Sequence, residues 1–167
     1  MKIVFLDFDG VLNTRHHIEQ VDLDPTWVLG GGPPEQIAKM LCEQRVALLD
    51  DLLRRTGARI VYSTSWRLHW PRETLTEMLA LRGLSAERSP LGVTPSLPTR
   101  NRGGEIAAWL EESGQDVESF VILDDLEAAG AHELLEGRLV LTHFEGEGLT
   151  EEHVEQAYEL LETSLPS

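Results

Sequence analysis

The sequence predicts an α/β fold, a Rossmann-like three-layer sandwich built around a mostly parallel, five-stranded sheet. Three observations lead there. Short apolar runs rich in β-branched residues recur along the chain without polar alternation, as strands buried on both faces require. Between them lie stretches whose apolar residues fall at offsets of three and four, the period of a helix packed on a sheet. The intervening connections are long enough for crossovers, which parallel strands need.

The first run, Lys2 to Leu6, is bounded by Asp7 and Gly10 and reads as a buried strand. Residues 14 to 35 hold His16-His17, Gly30-Gly31-Gly32 and Pro33-Pro34 and keep no period, so 14–43 is expected to be a flap or small insertion. From Gln44 to Arg55, Val46, Leu49 and Leu53 mark a helix that Gly57 stops, and Ala58 to Tyr62 forms the second strand. Arg72 to Arg82 is a helix closed by Gly83. Prolines between Leu84 and Pro98 leave room for only a short third strand. Ile106, Trp109 and Leu110 place a helix over Gly103 to Ser113, ended by Gly114. Ser119 to Leu123 is the fourth strand, residues 126–136 are expected to be helical, and Arg138 to Leu141 is the fifth strand. Val154, Ala157, Tyr158 and Leu161 stripe a last helix that Thr150 caps, with Glu151 and Glu152 suiting its N-terminal dipole.

A chain of 167 residues, 41% hydrophobic, suits one compact domain, 1–167. No stretch approaches the roughly 18 to 20 apolar residues of a membrane span, and Asp7 arrives too early for a signal peptide, so a soluble cytoplasmic protein is expected. Cys42, the sole cysteine, excludes an internal disulfide and a cysteine-cluster metal site, and its half-apolar neighbourhood reads as packing. The net charge of −15 is uneven. Residues 103 to 167 hold 17 acids and one base, Arg138, while residues 1 to 102 are near neutral. That field argues against extended duplex nucleic-acid binding. Arg67, Arg72, Arg82, Arg88, Arg100 and Arg102 supply the cations a phosphorylated ligand would want.

Chemistry belongs at the strand ends, because ligands of such sheets bind outside the carboxyl edge where the strand order reverses. Asp7 and Asp9 follow the first strand, Ser63, Thr64 and Ser65 the second, Asp124 and Asp125 the fourth. Four carboxylates gathered at one edge repel one another unless a cation neutralises them, and an all-oxygen set suits Mg²⁺. Asp7, Asp9, Asp124 and Asp125 are therefore the candidate metal residues.

The segment Phe5-Leu6-Asp7-Phe8-Asp9-Gly10-Val11-Leu12 resembles the first signature of haloacid dehalogenase superfamily phosphatases, an apolar strand followed by Asp-x-Asp-Gly. The resemblance implies that Asp7 attacks phosphorus to form an aspartyl phosphate, and that Asp9 protonates the leaving oxygen and then activates water. An Asp at the second position also favours phosphate as substrate, since dehalogenase members lack it. Gly10 lets the backbone turn close to the ligand. Asn13 is expected to bond to the loop or to the ligand. Gly57 to Ser65 resembles the second motif, whose Ser or Thr bonds the transferring phosphoryl group; Thr64 fits best, with Ser63 and Ser65 left open. Trp66 and Arg67 follow directly, so Ser65 and Arg67 join Gly10 and Asn13 as expected substrate contacts. For the basic residue of the third motif the candidates are Arg100 and Arg102, with Arg102 favoured because it opens the Gly103 helix. Most members carry Lys there. Val121-Ile122-Leu123-Asp124-Asp125 resembles the fourth motif, with Asp124 the direct ligand and Asp125 or Glu127 completing the shell.

Taken whole, the chain is similar to the compact, minimal-cap type, in a small bacterial or phage branch related to RNA-repair phosphatase domains. The expectation is a Mg²⁺-dependent phosphomonoester hydrolase acting on a small phosphorylated metabolite or nucleotide. The alternatives are a polynucleotide end phosphatase and a non-catalytic binding protein on the same fold.

Overall fold

The structure, a computed structural model, describes residues 1–24, 26, 32–85, 90–99, 101–113 and 116–165. Gly30, Gly31, Arg88, Arg100 and Gly114 lie outside the described residues. Five parallel strands form one sheet: β1 (Lys2–Leu6), β2 (Arg59–Tyr62), β3 (Gly92–Val93), β4 (Ser119–Asp124) and β5 (Leu139–Leu141), in the order β3-β2-β1-β4-β5. The chain fills one side from β1 through β2 to β3, then crosses to the other, so β1 sits at the centre and the order reverses beside it. This is the expected α/β layering.

The unalternating composition of β1 follows from burial on both faces. Ile3 and Phe5 join one core with Val61, Ile106, Phe120 and Ile122, while Val4 and Leu6 join the other with Ile60, Tyr62, Val121 and Leu123. These four β1 side chains are fully buried, each worth about 1.5–3 kcal/mol of transfer free energy. Phe5 meets Trp109 and Phe120 edge-to-face, with ring centroids 5.5 and 5.8 Å apart.

The described residues also form six α-helices: α1 (Arg15–Gln20), α2 (Pro34–Ile37), α3 (Glu43–Thr56), α4 (Arg72–Leu81), α5 (Arg102–Glu112) and α6 (Glu151–Glu162). Gly57 ends α3 in the left-handed conformation, φ +68°, with its N–H on Leu53 O. Thr150 caps α6 in a reciprocal box with His153. The expected flap contributes α1, α2 and a 3₁₀ turn (Ala38–Met40), and Ile37, Ala38, Met40 and Leu41 are buried in the core shared with α3 and α4. No helix among the described residues is long and apolar enough to cross a membrane.

One element departs from expectation. Residues 126–136 form two 3₁₀ turns, Glu127–Gly130 and Glu133–Leu135, not an α-helix. Space decides it, because α5 approaches on one side and β5 on the other. A Cβ added at Gly103 would lie 2.9 Å from Ala128 O, and one at Gly130 would lie 3.0 Å from Leu139 Cβ. A helix about 10 Å across does not fit in that gap.

The close approach at Gly103 yields a paired prediction. Gly103→Ala drives a methyl into the Ala128 and Ala129 carbonyls and costs about 1–3 kcal/mol. Gly104→Ala meets nothing nearer than Leu97 Cδ1 at 3.6 Å, so it is neutral or stabilising by up to about 1 kcal/mol. Urea denaturation of the two variants measures both; equal stabilities would show that the α5 contact is not tight.

Candidate active site

Parallel strands bring their carboxyl ends to one edge. Asp7 leaves β1 with its N–H on Leu123 O (3.0 Å), one residue short of Asp124 at the end of β4, and Ser63 N bonds Leu6 O (2.9 Å) from the β2 side. Asp7 and Asp124 are buried, at 3% and 0% exposure. Oxygens of Asp7, Asp124 and Asp125 all lie within 4.8 Å of one another.

Arg102, the first residue of α5, faces this cluster. Its Nη1 is 3.1 Å from Asp7 Oδ2 and donates to Asp124 Oδ2 at 2.8 Å. Asn101 caps the helix by accepting from Gly104 N, which fixes the turn that presents Arg102. The guanidinium does not cancel the cost of burial. Desolvation pushes the Asp7 carboxyl up to about 6, against the pull of Arg102 and with Asp9 adding to the rise. Desolvation likewise pushes Asp124 up to about 7, helped by the charge of Asp7. Asp125 is raised too, first by desolvation and then by Asp9.

Three carboxylates held above their usual range and offering only oxygen are a fitting donor set for a hard divalent cation. Asp9, expected among the ligands, stands outside this group. Its Oδ1 accepts from Asn13 Nδ2 and its Oδ2 from Trp66 Nε1, both at 2.9 Å. Two neutral N–H donors thus aim it sideways into the neighbouring cleft.

Ser63, Thr64 and Ser65 take different surroundings. Thr64 is fully buried and bonded through its hydroxyl to Asp7, while it also accepts from Trp66 N at 3.3 Å. The Ser63 hydroxyl is buried with no hydrogen-bond partner among the described residues. Ser65 is exposed and lines the cleft.

Arg67, expected as a substrate contact, is corrected, and of the two partners expected for Asn13 the structure shows the loop. Arg67 turns inward, its Nη1 donating to Thr64 O (2.6 Å), its Nε to Thr94 O (3.2 Å) and its Nη2 to Glu105. The pair is sealed, with side chains 7% and 6% exposed, because an arginine at that depth needs a carboxylate and carbonyls to replace water. Glu105 also accepts from Leu97 N (3.1 Å). Arg67 therefore fastens the Thr64 turn to α5. Asn13 is fully buried and braces the loop, accepting from Gly10 N (3.1 Å) while donating to Asp9. Gly10 has φ +74°, and a Cβ there would collide with the Asp125 carboxylate, so it makes room for that acid.

The sequence reading missed Glu105 and the cleft residues Met40, His69, Trp70 and Phe144. A glutamate three residues after Arg102 on one helix face was the available signal for the first. Nothing local marked the second group, which comes from three separate segments.

The arrangement can therefore bind a cation, present a buried carboxylate to a phosphoryl group and offset charge from two sides. No curated protein and no solved structure matches the chain. The family model described as the HAD domain in Swiss Army Knife RNA repair proteins matches residues 3–154, a span that takes in Asp7, Thr64, Arg102, Asp124 and Asp125. With nearly its whole length matched, the chain belongs to this family of the haloacid dehalogenase superfamily.

Proposed function

We propose that the protein is a Mg²⁺-dependent phosphomonoester hydrolase working through an aspartyl phosphate on Asp7, on a small phosphorylated metabolite or nucleotide. The family points to phosphatase-type hydrolysis. The observation that carries the finer reading is the Asp7, Asp124, Asp125 cluster with Arg102 bridging two of its members. Mg²⁺ held by that cluster would neutralise phosphoryl oxygens and lower the repulsion met by an attacking anion. Asp7 then uses one carboxylate oxygen to attack phosphorus as the ester P–O bond breaks. Asp9 gives a proton to the departing oxygen. In the second half Asp9 takes a proton from water, the water oxygen attacks phosphorus, and the Asp7–phosphorus bond breaks to release phosphate. Arg102 and Thr64 offset charge on the transferring group without having to reorganise.

A second reading, a polynucleotide end phosphatase, has one supporting observation, the RNA-repair setting in the family's description. The net charge of −15 opposes extended backbone contact and favours a substrate gripped at one residue. A binding protein without turnover would have no need of Asp9 beside Asp7.

The direct test is release of phosphate from a panel of monoesters in Mg²⁺ and in EDTA. Hydrolysis is expected only with the metal, and Asp7→Asn should fall by at least about 10³-fold, roughly 4 kcal/mol of barrier. An Asp7→Asn enzyme as fast as the parent would end this proposal. The metal-free protein carries a second expectation. Asp7 and Asp124 stay protonated in the fold to about pH 6 and 7, whereas the unfolded chain releases those protons near 3.8. The fold binds the excess protons, so stability falls as pH rises from about 4 to about 7. Melting temperature should drop across that window, less so in Asp124→Asn, and Mg²⁺ should raise it more at pH 8 than at pH 5. A parent and variant that melt alike at every pH would contradict the assigned burial.

A further inference from the structure

Beside the acid cluster lies a cleft of about 470 Å³ whose lining includes Asp9 and Asp125. On the hydrolase reading Asp9 protonates the departing oxygen, so a group held in this cleft is the alcohol half of the ester. The wall composition then bears on what that alcohol is. Trp66, Trp70, His69 and Phe144 give aromatic surface, and Ile37 and Met40 give aliphatic surface. No Lys or Arg lines it among the described residues. Arg15 stands over the Phe144 ring at 5.7 Å, but Glu145 engages it at 2.6 to 2.9 Å, so its charge is already answered.

Such a wall disfavours an alcohol bearing further phosphates or carboxylates, which would lose water and gain no cation. It also offers less to a sugar alone, whose hydroxyls would find partners only at Ser65, His69 and the acidic end at Asp9 and Asp125. A flat, uncharged ring system gains stacking and apolar contact on the same surface. The volume falls within the roughly 300–1,000 Å³ of small-molecule sites. Ser65 adds a hydroxyl to the same lining.

We infer that the cleft is a leaving-group subsite for a nucleoside, so that the substrate is a phosphomonoester of a nucleoside hydroxyl. The inference rests on the hydrolase reading for its orientation. The same chemistry is offered by a free nucleoside monophosphate and by the phosphorylated terminal residue of a single-stranded oligonucleotide. Trp66 ties recognition to chemistry, since its indole walls the cleft and its N–H holds Asp9.

The test uses the full chain with Mg²⁺ and compares adenosine 5′- and 3′-monophosphates, ribose 5-phosphate, p-nitrophenyl phosphate and a phosphorylated oligoribonucleotide. Adenosine alone is titrated by tryptophan fluorescence. The nucleoside monophosphates should exceed ribose 5-phosphate in kcat/KM by at least about tenfold, mostly through KM, as one stacked base provides. Adenosine should quench fluorescence and ribose should not. Trp70→Leu and Phe144→Leu keep apolar bulk while removing a ring face, so both should fold with near-parent melting temperatures. Each should shrink the nucleotide-over-ribose ratio severalfold and weaken adenosine binding. Preference for the oligonucleotide assigns the source to a strand end, and equal or better use of the monophosphate assigns it to the free pool; both support the subsite. Turnover of p-nitrophenyl phosphate with no preference for the nucleotides and no adenosine binding overturns the inference and leaves the hydrolase reading standing. Adenosine binding without turnover of any ester overturns hydrolysis and retains the nucleoside site.

Discussion

Two buried aspartates, one at the end of β1 and one at the end of β4, cannot sit side by side without positive charge between them. Arg102 supplies part of it, touching both Asp7 and Asp124 through one nitrogen. Much of the surrounding structure follows from getting that nitrogen there. The helix that carries Arg102 must press onto the backbone of Ala128 and Ala129, which only a glycine at 103 permits. Its first turn is held from the other side by the sealed Arg67–Glu105 pair, which reaches through Thr64 O into the turn that bonds Asp7. Removing one partner of such a pair leaves a buried charge exposed to nothing, a cost of about 3–5 kcal/mol. That pair acts on the site by fixing the distance between α5 and the Thr64 turn.

The guanidinium leaves the balance incomplete. Desolvation still holds both carboxyls above their ordinary range, and Asp125 adds a third acid within reach. With Arg102 alone, burial leaves both carboxylates costly to keep ionised. On the proposed reading a divalent cation would complete the balance, drawn by the same excess of buried acid. Asp9 is exempt from this cluster because Trp66 and Asn13 take its two oxygens. On the proposed mechanism this separates the acids that would manage phosphoryl charge from the one that would face the other half of the ester.

The sheet was legible because its strands are buried on both faces and so read as unbroken apolar runs. Asp7, Thr64, Arg102 and Asp124 were legible because parallel strands must deliver their ends to one edge and because Asp-x-Asp-Gly is a narrow pattern. Residues 126–136 misled, since a helix-compatible composition says nothing of the space between α5 and β5. Arg67 misled for a related reason: its partner Glu105 lies 38 residues away, and an arginine after a site turn reads as a substrate contact until its depth is known. The cleft was invisible because Met40, Trp70 and Phe144 meet only through the fold.

The acid cluster, as proposed, is a cation site that needs all its carboxylates. Calorimetric titration of the metal-free protein with Mg²⁺ near pH 7.5 measures this directly. One ion per chain should bind to the parent, and binding should weaken by at least about tenfold in Asp124→Asn, roughly 1.4 kcal/mol. An Asp124→Asn protein that bound Mg²⁺ as tightly as the parent, or a parent that bound none, would contradict it.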